Sequence, residues 1–238
     1  MFILAIDGPA GSGKSTTARG AAHELGFWHL DTGAMYRAIT LLAFRGHADP
    51  TDEAAVAEIA RSAEIHFEPK SSLDHHKQRV FVNGEDVTRE IRGSLVSAAV
   101  SQVSALPAVR AALVEKQRAF AEGAPGVVAE GRDIGTVVFP NADLKVYLDA
   151  SIEERARRRA KELQAAGVET TFEEQRSQIS RRDETDSARE ASPLREAPDA
   201  VHLDTTGLTI AGQVSEVVRL ALERMRDKAA ADGEGADS

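Results

Sequence analysis

Short apolar runs and longer amphipathic stretches alternate along the first 45 residues, and each boundary carries a turn signal. Residues 2–6 (FILAI) are continuously apolar and lead into Gly8-Pro9, the pattern of a buried strand followed by a turn. The pattern predicts a helix over 13–25, closed by Gly26 at a position that favours glycine. FWHLD (27–31) reads as a second short strand and 33–44 as a second helix. This β-α-β-α order predicts a parallel sheet covered by helices.

The period then changes. EIHFE (64–68) and QRVFV (78–82) alternate like half-exposed strands around a polar stretch, 70–77. Asn83-Gly84 is a strong hairpin signal, and 85–88 follows as a third strand. Residues 63–92 therefore read as a small antiparallel insertion in an α/β chain. Helical patterns return over 94–105 and 108–122, separated by Pro107. Core strands are expected at 127–129, 144–148 and 201–203, with a last helix at 210–226. Ser151 with Glu154, and Thr171 with Glu174, each have capping-box spacing. The predicted fold is thus an α/β core over 1–62 and 93–226, an insertion over 63–92, and a disordered tail over 227–238.

Composition narrows the options. Of 238 residues, 42% are hydrophobic and 28% charged, the balance of a globular protein. No apolar run approaches the roughly 18 residues of a membrane helix, and MFILAI lacks a basic flank, so the expectation is a cytoplasmic protein without a membrane partner. There is no cysteine, which removes disulfides, thiolate nucleophiles and Cys-ligated metals. The net charge of −9 disfavours nucleic acid as a partner. Arginines nevertheless gather at 155–159 and 176–189, which suits a small anionic ligand.

The chemistry begins at Gly8-Pro9-Ala10-Gly11-Ser12-Gly13-Lys14-Ser15-Thr16, which matches the phosphate-loop pattern G-x-x-x-x-G-K-[ST] between a strand and a helix. Its glycines let successive N–H groups face phosphates, and the following helix adds its positive dipole end. Lys14 is expected to reach the β- and γ-phosphates of ATP, and Ser15 to ligate Mg²⁺. A GTPase would need N-K-x-D, but Asn83 and Asn141 are not followed by lysine. D-x-x-G does occur at Asp204–Gly207, but after the last strand, where it could not act as a switch.

What receives the phosphate depends on the second site. A phosphate acceptor is already ionised and needs cations rather than a base, because two polyanions must meet. Arg37 follows the second strand, and Arg132 follows 127–129 in EGRDIG, where ligands of open α/β sheets bind. Asp133 is either a helix cap or an acceptor for the exocyclic amine of cytosine. Arg182, Asp186 and Arg189 have the spacing of one helix face, equally suited to a solvated charge ladder or a shared ligand. His29 reads as a strand residue with a local partner.

GPAGSGKST, LDTGAMYR, VNGEDVT, EIR, SQVSALPAVR, GRDIGTVVFP and RRDETDSAR occur in this order, and together they closely resemble the bacterial cytidylate kinases. The resemblance covers about 2–225 and implies a five-stranded parallel sheet, an enlarged nucleoside-monophosphate-binding insertion and a mobile arginine-bearing lid. It implies Mg²⁺-dependent phosphate transfer from ATP to CMP or dCMP, by a monomer. It further implies that Thr32, Arg110, Asp133 and Arg189 face the cytosine. Arg37 and Arg132 would hold the CMP phosphate, and Ser101, Arg182 and Asp186 would surround the ribose. Lys14, Arg132 and Arg182 are the expected catalytic set. The lid is expected over about 153–170, with Arg155, Arg157, Arg158 and Arg159 on it. Two other readings remain: a phosphate-loop kinase for UMP, AMP or shikimate, and a nucleotide sensor without turnover.

Overall fold

A computed structural model describes residues 1–68, 78–165 and 167–234. The polar stretch 70–77 lies outside the described residues. The main sheet has five strands, β1 (Phe2–Asp7), β2 (Trp28–Asp31), β6 (Gly126–Gly131), β7 (Leu144–Asp149) and β8 (Val201–Asp204), in the order β2-β6-β1-β7-β8. The strand β1 pairs in parallel with β6, Phe2 opposite Gly126 through Asp7 opposite Gly131, and with β7 on its other edge. Its central place explains its unbroken apolar run: Leu4, Ala5 and Ile6 are fully buried. Parallel pairing requires helical crossovers, and the fold class expected from the β-α-β-α pattern is the one observed.

The chain divides into two compact units, Met1–His29 with the chain from Ala121 on, and Leu30–Phe120. In the first, α1 (Lys14–Leu25) and α8 (Ile210–Glu234) pack over β1 and β7. Small residues on α1 (Ala18, Ala21 and Ala22) let Val217 and Ala221 of α8 join Leu4, Ile6, Val146 and Leu148 in one core. Gly20 completes this close approach, since a Cβ there would stand 2.6 Å from Val214. The unit also holds α6 (Ile152–Ala165) and α7 (Phe172–Ser187), packed on each other. Thr171 and Glu174 form the reciprocal capping box that their spacing predicts. At Ser151 only half of that motif forms: its hydroxyl accepts from the Glu154 N–H, while the Glu154 carboxylate turns to Arg157 and Arg158.

The second unit contains α2 (Thr32–Arg45), α3 (Glu53–Ser62), α4 (Ser94–Val103) and α5 (Pro107–Phe120). It also carries an antiparallel sheet of β3 (Ile65–Glu68), β4 (Arg79–Val82) and β5 (Glu85–Asp86). Asn83 and Gly84 both take positive φ, 50° and 83°, as a two-residue hairpin of this kind requires. The sheet falls inside the range read as an insertion, but the compact unit around it is much larger. Helix α3 had no counterpart in the sequence pattern, although Asp52 caps it by accepting from Ala55 N–H.

The expectation of a disordered tail from Asp227 is corrected. Helix α8 continues to Glu234, carried by the Lys228–Ala231 run of strong helix formers and by an ion pair from Lys228 to Asp143. Residues 235–238 lie outside the described residues. Among the described residues, no single helix is long and apolar enough to cross a membrane.

The turn out of β1 has little room. Gly8 holds φ at +148°, and a Cβ would lie 2.0 Å from the Leu148 carbonyl oxygen. Gly8→Ala should therefore destabilise the fold by about 3 kcal/mol, read as a shifted denaturant midpoint with unchanged slope.

Candidate active site

The site is assembled where the parallel strands end. Strand β1 stops at Asp7 and the phosphate loop begins immediately, with Gly11 and Gly13 at φ +78° and +97°. Gly13 caps α1 by receiving the N–H groups of Thr16 and Thr17 on its carbonyl. The loop is held from behind. Thr17 donates to the fully buried Gln213, 2.8 Å away, and Thr205 donates to the Ser12 carbonyl at 3.1 Å. The Lys14 side chain lies buried along the loop, with Nζ 2.5 Å from the Pro9 carbonyl and 3.3 Å from Ser12 Oγ. Burial holds its amine well below the ordinary lysine range. The positive charges of Arg132 and Arg182 press the same way, and Glu130 and Asp7 oppose them. Lys14 therefore shares one electrostatic field with two of the arginines singled out from the sequence.

Those arginines meet at one carboxylate. Asp186, near the end of α7, is 1% exposed. Arg132 Nε donates to its Oδ2 at 2.9 Å, Arg189 pairs with Oδ1, and Arg182 Nε stands 3.9 Å from Oδ2. Burial works against the charge on Asp186, yet the three guanidiniums hold its pKa below the ordinary aspartate value. The helical spacing brings Arg182, Asp186 and Arg189 together, and the strand end of β6 delivers Arg132 to the same point. Asp133, next in sequence, is 4% exposed; its backbone carbonyl receives Val137 and Val138 N–H at the start of a tight turn, Ile134–Val138.

Two carboxylates that sequence reasoning passed over organise this end of the sheet. Asp7 accepts from Ile134 N–H at 2.8 Å and Gly135 N–H at 2.7 Å, so it fixes the turn that follows Arg132 and Asp133. Burial raises its pKa to about 6 against the pull of those two N–H groups. Glu130, at the end of β6, accepts from Ser15 Oγ at 2.6 Å and lies 3.0 Å from His29 Nε2. Burial opposes its charge, but the His29 contact, the Ser15 hydroxyl and Lys14 hold its pKa below the ordinary glutamate value. His29 thus meets a carboxylate 101 positions away. The available clue was a lone acid closing each apolar strand, FILAID and GVVAEG.

The four arginines read as lid residues divide into two pairs on α6. Arg155 is 8% exposed and donates to the Ala10 carbonyl at 3.1 Å. Arg158 donates to the Thr205 carbonyl at 2.6 Å and makes a long contact, 3.4 Å, to the Ser12 carbonyl. Arg157 and Arg159 instead pair with Glu154 and Glu162 on the same helix. Two of the four therefore brace the phosphate loop.

The remaining candidates belong to the second unit. Arg37 on α2 donates to Ser97 Oγ at 2.8 Å and to the Ile91 carbonyl at 3.2 Å. Arg110 on α5 is 4% exposed, donates to the Ser104 carbonyl at 2.9 Å and lies over the Tyr36 ring at 5.3 Å. Thr32 is buried at the start of α2, where Asp31 caps the helix by accepting from Ala34 N–H. Ser101 is half-buried on α4, and its carbonyl accepts from Ser104 Oγ at 3.1 Å.

The Asp7 clamp has a measurable cost when halved. Asp7→Asn offers one acceptor to two N–H groups and should destabilise the protein by about 1–3 kcal/mol near neutral pH. Because the folded pKa stands at about 6 against an ordinary 3.8, the native state binds the proton more tightly. The wild-type contribution from this group therefore falls as pH rises from about 4 to 6 and is flat above. Paired urea titrations of the two proteins across pH should show that slope in the difference and lose it in the variant.

Residues 4–224 match the family model described as cytidylate kinase. A cytidylate kinase of Geobacillus kaustophilus is 49% identical over 222 residues, covering 93% of this chain and 97% of its relative. One from Caldanaerobacter subterraneus is 50% identical over 223 residues, covering 94% of each. One from Mycobacterium avium is 48% identical over 224 residues, covering 93% of this chain and 96% of its relative. The chain belongs to the cytidylate kinase family.

Proposed function

We propose that this protein transfers the γ-phosphoryl group of ATP to the phosphate of CMP or dCMP, forming CDP or dCDP. The observation that carries the reading is the charge arrangement around Lys14. A phosphate-loop lysine sits in the field of Arg132 and Arg182, and both arginines are gathered, with Arg189, at buried Asp186. A nucleotide donor alone needs the loop and its lysine. A second polyanion needs this additional set of fixed cations, whose planar forks match phosphate oxygens.

In this reading the loop N–H groups and Lys14 hold the β- and γ-phosphates of ATP, through residues Gly8 to Thr16. Arg132 and Arg37 hold the acceptor phosphate. Arg182 offsets charge on the transferring group, and Ser101 and Asp186 meet the ribose. Thr32, Arg110, Asp133 and Arg189 meet the cytosine, with Asp133 suited to accept from the exocyclic amine. No general base is required, since the acceptor oxygen is already ionised. Catalysis then rests on alignment and charge stabilisation.

Mg²⁺ fits the donors present. Ser15 Oγ and the Glu130 carboxylate are hard oxygens already 2.6 Å apart, and Glu130 is held ionised. Among the described residues, no cluster of three or more acidic or histidine side chains forms a protein cage. That suits an ion bound through one or two side chains, substrate phosphates and water. Bound there, Mg²⁺ would neutralise charge on the β- and γ-phosphates.

ADP release should be measured against a panel of CMP, dCMP, UMP, AMP and shikimate. CMP or dCMP is expected to give the highest kcat/KM. A different best acceptor would overturn the substrate assignment, and tight ATP binding with no turnover on any acceptor would indicate a sensor. On the best acceptor, Lys14→Ala should lower kcat by about 10²–10³-fold while CMP still binds.

A further inference from the structure

One residue of the phosphate loop has both of its peptide groups taken by side chains from the α6–α7 pair. The Ala10 carbonyl accepts from Arg155 Nη1 at 3.1 Å, and the Ala10 N–H donates to Asp183 Oδ1 at 3.3 Å. Arg155 Nη1 also pairs directly with Asp183 Oδ2, closing a ring around Ala10. Arg155 is anchored independently, since its Nε donates to the Ala150 carbonyl at 2.9 Å. The backbone of α6 presses on the next loop residue: a Cβ on Gly11 would meet Arg155 Cβ at 3.2 Å and the Arg155 carbonyl oxygen at 3.3 Å. The ring is well shielded, with the Arg155 side chain 9% exposed and that of Asp183 19%. Shielding strengthens charge-assisted hydrogen bonds.

Asp183 stands three positions before Asp186 on α7, so the two carboxylates lie on nearly one face of the helix, about one turn apart. One meets the donor loop. The other meets Arg132, Arg182 and Arg189. A continuous stretch of helix therefore connects the donor loop to the cationic cluster, and Arg182 is the residue directly before Asp183. The charge of Asp183 would repel a polyphosphate in the loop if left alone, and Arg155 offsets it.

We infer that Asp183, paired with Arg155, is a positioning residue for phosphoryl transfer: it docks α7 on Ala10 and so sets Arg182 in register with the phosphate loop. The inference rests on the phosphotransfer reading above, but not on the identity of the acceptor. Asp183 touches neither nucleotide in this account. Its loss should disturb alignment and leave the two binding steps nearly intact.

The test uses the full chain, with Asp183→Ala and Asp183→Asn. The alanine variant loses both the Ala10 bond and the pairing with Arg155. The asparagine variant keeps an acceptor for Ala10 N–H and loses the charge. Turnover is measured on whichever acceptor the wild type uses best, so an acceptor other than CMP or dCMP overturns the substrate assignment alone. The alanine variant should lower kcat about 10- to 100-fold, with asparagine between it and wild type and both KM values little changed. Amide exchange should rise in 8–13 and 182–189 and stay level elsewhere, a readout that needs no turnover. Wild-type kcat with unchanged exchange in both variants would overturn the inference. Tighter ATP binding with higher kcat would also overturn it, since Asp183 would then be a latch that competes with phosphate. Equal losses in kcat, both KM values and global stability would reduce Asp183 to a fold residue, which is the third result against it.

Discussion

The arrangement depends on one buried negative charge. Asp186 is 1% exposed and meets three guanidiniums, two from its own segment and one from the end of β6. Like charges about 4 Å apart repel by about 4 kcal/mol at an effective dielectric near 20, so a cluster of arginines does not hold itself together. The carboxylate offsets that repulsion and orients each fork. Removing one partner of such a buried set typically costs about 3–5 kcal/mol, because the remaining charge stays desolvated. The same logic governs Lys14, whose amine is held down first by burial and then by Arg132 and Arg182, with Glu130 and Asp7 as the compensating anions. An acidic protein thus carries a cationic site through a few carboxylates placed inside it.

The parallel sheet makes that placement possible. Strands β1 and β6 run side by side and end together, Asp7 opposite Gly131, so the phosphate loop and the Arg132-Asp133 turn leave the sheet at the same level. Asp7 then ties the two exits by receiving two N–H groups from the Ile134–Val138 turn. Glu130, one residue earlier on β6, reaches Ser15 at the start of α1. The binding elements are loops, but each is clamped by a carboxylate on a strand that cannot move independently. Geometry of this kind favours a reaction limited by alignment over one limited by proton transfer.

Much of this was readable before the structure. The phosphate loop is a contiguous motif, and its backbone logic needs no distant partner. The period change at 64–88 announced the antiparallel sheet, and Asn83-Gly84 fixed its turn. Residues whose role comes from across the fold were not readable. Asp7 and its N–H partners are 127 and 128 positions apart, and Glu130 and Ser15 are 115 apart. Only the strand order β6-β1-β7 makes them neighbours. The RARRR run (155–159) illustrates a different limit: sequence gives four arginines in five positions, while helical rotation aims Arg155 and Arg158 at the loop and leaves Arg157 and Arg159 to surface pairs. The tail departs from its expected disorder as far as Glu234, because its alanines are strong helix formers that extend α8.

The central claim is that Asp186 gathers Arg132, the proposed holder of the acceptor phosphate, with Arg182 and Arg189. Calorimetric titration of CMP into the wild type and Asp186→Asn, repeated at several ionic strengths, addresses it most directly. The account predicts that CMP affinity falls about ten-fold or more in the variant and that its dependence on salt becomes shallower, because Arg132 is no longer fixed against the acceptor phosphate. An affinity and a salt dependence equal to or stronger than those of the wild type would contradict it.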